Sequence, residues 1–211
     1  MEIFNQVIEA NRKFVEEFTH HDLEAPPSRK LAIVTCMDAR LSMERMLGLQ
    51  PGEAHILRNA GGVITEDILR SLIVSNHLLG TRHVMIINHT ECGMMQYTDD
   101  DLRAKLLKLT GMEVVAPAQF HTFKNLEDNV RLQIMRLKSH PWIPKDLLVK
   151  GYIYDVRTGL LSAVPDEAEE PKTSTSETKP GTSMAALSSA LLSFLQLPFA
   201  EEMLALAGML A

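Results

Sequence analysis

The chain has 211 residues, 45% hydrophobic and 23% charged, which is enough for one sizeable core with appendages but not for two full domains. Twenty-one basic residues stand against 27 acidic ones, a net charge of −6 with no basic block, which excludes a nucleic-acid footprint. With only two cysteines, Cys36 and Cys92, a disulfide framework is excluded; in a reducing compartment such a pair binds metal or does chemistry.

The N-terminus has neither a basic n-region nor an apolar h-region, so no secretory signal is expected and the predicted location is cytoplasmic. Residues 3–18 put Ile3, Val7, Ala10, Phe14 and Phe18 on one helical face that needs a partner surface. Pro26-Pro27 blocks continuation. Residues 31–35 are a short apolar run, predicted as a buried strand. Further strands are predicted at 54–57, 83–88 and 149–155, with a short edge strand at 160–164. Helical patterns lie between them at 42–48, 65–79, 99–109 and 123–139. Strand–helix alternation predicts an α/β fold with a central, mostly parallel β-sheet flanked by helices.

Composition then shifts. Pro165–Gly181 has no large apolar residue and is predicted to be a flexible linker over 165–181. Residues 182–211 follow as an amphipathic helical tail in two pieces, parted at Leu197-Pro198. Gln196, Pro198 and Glu201-Glu202 leave no 18-residue apolar stretch, so no membrane span is expected. The tail instead fits a neighbouring subunit or a scaffold, which would place the protein in a larger assembly.

The strand at 31–35 runs into Cys36-Met37-Asp38-Ala39-Arg40, and the strand at 83–88 into His89-Thr90-Glu91-Cys92-Gly93. Parallel sheets bind ligands at the carboxyl ends of their strands. Two thiolates and an imidazole there suit zinc and leave a fourth position open. Two buried structural cysteines beside an unrelated histidine remain the bland alternative. Asp38 and Arg40, at i and i+2, can both face the site, and a carboxylate paired with Arg stays ionised. Among the other histidines, His55, His77, His83, His121 and His140 are candidate proton shuttles. His20-His21 is not expected to form a metal pair.

Cys36-x-Asp38-x-Arg40 followed by His89-x-x-Cys92, with Arg58-Asn59-Ala60-Gly61-Gly62 between, resembles the β-class carbonic anhydrases over residues 1–164. His89-Thr90-Glu91-Cys92-Gly93-Met94 is similar to a short bacterial branch, which also resembles carbonyl sulfide and carbon disulfide hydrolases. The resemblance implies four parallel strands plus an edge strand, and an N-terminal helix packed on a second subunit. It implies Zn2+ on Cys36, His89 and Cys92, with Asp38 and Arg40 as the catalytic dyad. The implied activity is reversible hydration of CO2 to bicarbonate by a zinc-bound hydroxide, or carbonyl sulfide or carbon disulfide hydrolysis at the same site. Gly61 and Gly62, which let backbone approach a ligand closely, are the candidate substrate-binding positions. A homodimer or larger homo-oligomer is expected. If Arg40 released Asp38, the carboxylate could fill the fourth zinc position. Asn88 departs from the Gly or His of many members. A reading of another class, a non-catalytic zinc-containing assembly protein, has no use for the Asp38–Arg40 pair.

Overall fold

The computed structural model describes residues 2–113, 116–117 and 119–165. The elements run α1 (Glu2–Glu16), β1 (Leu31–Cys36), α2 (Met43–Leu47), β2 (Ala54–Asn59), α3 (Glu66–His77), β3 (His83–His89), α4 (Asp99–Thr110), α5 (Leu126–Ser139), β4 (Leu148–Tyr154) and β5 (Leu161–Ala163). The sheet order is β2-β1-β3-β4-β5. The first four strands are parallel and β5 closes the edge antiparallel to β4, as the resemblance implies. The linker from residue 166 and the tail at 182–211 lie outside the described residues. Among those described, no helix is long and apolar enough to cross a membrane.

Alternation along β1 divides the core. Ala32 and Val34 face the layer of α3 and α5, where they meet Ile68, Leu72, Val84, Ile86, Leu137 and Val149. Ile33 faces the other way, onto Leu41, Met43, Leu49 and Ile87. Thr65 caps α3 by accepting the Ile68 N–H, and Asn125 caps α5 by accepting that of Asp128. The segment before Asn125 is therefore loop, and α5 starts three residues later than the pattern at 123–139 predicts.

The helix predicted at 3–18 forms over Glu2–Glu16, and none of its residues is buried. Phe4, Val7, Phe14 and Phe18 all stand exposed. The apolar face thus stands uncovered among the described residues of its own chain.

On β4, Gly151 lies directly beneath α5. A Cβ there would overlap Val130 Cγ1 and come within 3.0 Å of Ile134 Cδ1. Val130 is β-branched and fully buried, so it has little freedom to yield. Gly151→Ala should therefore lower stability by about 1–3 kcal/mol, read as an earlier thermal unfolding midpoint.

Candidate metal centre

Cys36 is the last residue of β1 and His89 the last of β3, so the ligands close their strands rather than follow them. The strands are neighbours in parallel register, Thr35 opposite Ile87, and this ends them within one residue of each other, with Cys36 and His89 at their carboxyl ends. Cys92 reaches the same point through the turn after β3, where Glu91 adopts a left-handed φ of 57°. Cys36, His89 and Cys92 are all buried, and their donor atoms lie within 4.8 Å of one another. Among the described residues this is the only such cluster.

The donor set fits a zinc ion. His89 Nδ1 lies 2.8 Å from the Thr90 carbonyl oxygen, which only accepts, so the ring proton sits on Nδ1 and Nε2 keeps its lone pair. Nε2 is buried without a hydrogen-bond partner, an orphan that a metal would satisfy. The two sulfurs are coupled. Contact with Cys92 lowers the Cys36 thiol to about 4, helped by His89 and by the backbone N–H groups of Gly61 and Asp38. The same contact, together with burial, pushes Cys92 up, because a second negative charge beside the first is opposed. Burial disfavours a charge on His89, yet the neighbouring Cys36 and Asp38 hold its pKa above the ordinary value. The raised Cys92 and His89 both answer to the negative charge of Cys36 and Asp38, which a cation would offset.

Arg40 grips Asp38 in a two-pronged ion pair: Nε to Oδ1 at 3.0 Å and Nη2 to Oδ2 at 2.7 Å. The Arg40 backbone N–H adds a bond to Oδ1 at 2.9 Å. These bonds hold the Asp38 carboxyl well below the usual carboxylate range. Asp38 Oδ2 lies 3.8 Å from His89 Nε2. Arg40 is in turn held by Glu91, through the side chain at 3.4 Å and the carbonyl at 3.3 Å. Arg157, from the β4–β5 turn, pairs with the same Glu91 carboxylate.

Beneath the dyad, Arg58 clamps the loop after β1 by donating to three carbonyl oxygens, those of Cys36, Leu41 and Asp38, at 3.0, 3.0 and 2.7 Å. Asn59 pins Val63 through both of its backbone groups. Gly62 has φ +62°, and a Cβ there would stand 2.9 Å from the Cys36 backbone nitrogen. Gly61 is buried under Phe123 and Met94. Sequence reasoning gave no role to Arg58, Glu91 or Arg157; each acts through partners distant in the chain. His55, His77 and His140, candidate shuttles, are engaged in local hydrogen bonds with Ser75 and Trp142.

A profile of the carbonic anhydrase family matches residues 31–161, well over half of the chain. The chain belongs to the β-carbonic anhydrase family. β-Carbonic anhydrase 1 of Mycobacterium tuberculosis is 42% identical over 142 residues, covering 67% of this chain and 86% of that protein. A carbon disulfide hydrolase of Acidianus is 32% identical over 177 residues, covering 73% and 87% respectively. The crystal structure of carbonic anhydrase from Streptococcus mutans superposes with a TM-score of 0.75 at 39% identity, covering 78% of this chain and 99% of that one. These likenesses agree with the zinc chemistry of the donor set. Cys92→Ala should accordingly abolish stoichiometric zinc in the purified protein, as measured by atomic emission.

Proposed function

We propose that the protein catalyses the reversible hydration of CO2 to bicarbonate. The observation that carries this reading is the Asp38 carboxylate, held by Arg40 and set 3.8 Å from the unpartnered His89 Nε2. Three protein donors with an ionised acceptor beside them are what a catalytic zinc site needs. A structural site would ordinarily be closed by four ligands. The non-catalytic reading therefore leaves Asp38 and Arg40 unexplained.

When bound on Cys36, His89 and Cys92, zinc supplies Lewis acidity that makes water nucleophilic near neutral pH. Two thiolates offset that acidity, so the chain's own residues matter more. Asp38 accepts a hydrogen bond from the attacking water and so turns an oxygen lone pair toward the carbon. Arg40 keeps the carboxylate ionised and directed. The new bond joins the water oxygen to the carbon of CO2, one C=O π bond opens, and a proton departs to buffer. Gly61 and Gly62 present backbone instead of side chains beside Cys36, and we assign to them the wall against which substrate lies. Asp38→Ala should keep its zinc and lose about 10²–10⁴-fold in turnover. Loss of zinc together with activity would make Asp38 a ligand.

Carbon disulfide or carbonyl sulfide hydrolysis is the second reading, favoured by the relatives that bear the former name. Turnover of CO2 and both sulfur gases on one preparation separates the two. A preference for a sulfur gas by orders of magnitude would reverse the assignment.

For assembly, we propose a homodimer as the minimum unit, with the exposed apolar face of α1 covered by a second copy. The tail at 182–211 is proposed to dock on a neighbouring subunit or a scaffold protein. A cytoplasmic location agrees with two buried free thiols. In light scattering, removal of residues 2–18 should dissociate the dimer. Truncation after Val164 should keep zinc and dimer and alter only higher assembly.

A further inference from the structure

Three buried amide side chains link α5 to the metal centre: Asn88 and Gln133 are 1% exposed and Asn129 5%. At one end the Ile64 N–H donates to Gln133 Oε1 at 2.8 Å. A backbone N–H cannot accept, so the Gln133 amide is fixed with its oxygen toward Ile64 and its NH2 turned away. That NH2 donates to Asn129 Oδ1 at 2.8 Å. Asn129 is thereby fixed too, and its NH2 donates to Asn88 Oδ1 at 2.7 Å. Asn88 is left with its NH2 directed at the carbonyls of Gly61, at 3.0 Å, and Gly62, at 3.4 Å. Both ends of the chain are backbone groups of fixed polarity, so only one orientation of the three amides satisfies every bond.

The far end meets the metal centre. The Gly61 backbone is among the groups that favour the Cys36 thiolate. The Gly62 backbone presses on that of Cys36 so closely that a Cβ would stand 2.9 Å from its nitrogen and 3.1 Å from Asn88 Nδ2. Asn88 holds the carbonyl side of this two-residue turn, whose backbone packs on that of a metal ligand.

We propose that Asn88, Asn129 and Gln133 are positioning residues. As one directional relay, they hold the Gly61–Gly62 turn against the Cys36 backbone and so set the surroundings of this ligand and tune its bond to the metal. Outer hydrogen bonds to a metal ligand set its donor strength, and losing one costs about 10–100-fold in metal affinity. The relay also gives a reason for an asparagine just before His89: a glycine there would break the chain at its last link.

The inference rests on zinc being the resident metal, so zinc content of the full-length wild type is measured first; its absence would sink that reading rather than this one. Asn88→Asp and Gln133→Glu are then compared with wild type. Each swaps an amide for a near-isosteric carboxylate that only accepts, which puts an acceptor against an acceptor within the relay. Val84→Ala, a core truncation at the opposite end of β3, serves as a purely structural control. Zinc affinity is measured by competition with a chromogenic chelator, and the thiolate-to-metal charge-transfer bands are recorded after cobalt(II) substitution. Both relay variants should bind zinc about 10–100-fold more weakly and shift the cobalt bands. Val84→Ala should lower the unfolding midpoint without moving either. If Asn88→Asp does not fold, Gln133→Glu decides alone, because its side chain touches neither Gly61 nor a ligand. A lower unfolding midpoint with zinc affinity within twofold of wild type and unmoved bands would overturn the proposal and leave the amides as packing groups.

Discussion

Two thiols buried in contact cannot both ionise unless a cation lies between them. Cys36 and Cys92 are in that position, and the contact lowers one thiol while raising the other. Much of the neighbouring chain is organised around the negative charge they create. The backbones of Gly61 and Asp38 favour the thiolate form of Cys36, and that of Met94 favours it at Cys92. His89 turns its proton outward to Thr90 and its bare nitrogen inward. A divalent ion completes this arrangement in a way that no side chain among the described residues does.

The dyad depends on the same constraint. Asp38 adds a further negative group close to the cluster, and Arg40 offsets it through three hydrogen bonds. Glu91 then occupies the remaining side of Arg40 and shares its carboxylate with Arg157. This alternation of charge, carboxylate to guanidinium to carboxylate to guanidinium, runs from the buried site to the surface. It fixes Asp38 without burying an uncompensated ion. Arg58 contributes differently: each of its three side-chain nitrogens donates to a backbone carbonyl, and this sets the path of the loop carrying Asp38.

The parallel sheet makes these contacts affordable in geometry. Neighbouring parallel strands end together, so residues 53 apart in sequence, Cys36 and His89, meet without a long connecting loop. Among the described residues, α2 is the only helix contributing to the buried cluster on the second face of the sheet. The N-terminal helix contributes nothing to either core.

Local pattern was sufficient for a good deal of this. Alternating strands and helices, the apolar run before Cys36, the His-x-x-Cys pair and the Asp-x-Arg pair are all short-range features, and each survived with shifts of a few residues at element ends. Those shifts have local causes, such as the Asn125 cap that delays α5. Asn129 and Gln133 left a fainter trace: two amides at i and i+4 on the buried face of a helix, polar where periodicity asks for apolar. Nothing in the sequence says which backbone groups they answer. The sequence by itself determined the ligand types, their placement at strand ends and the unpartnered face of α1, because these follow from residue identity and period. Only the tertiary structure decided that Asn88 reaches Gly61, that Arg58 clamps the Asp38 loop and that Glu91 joins Arg40 to Arg157. Hydrogen-bond partners tens of residues apart are chosen by the packing of strands and helices, and no local rule records that choice.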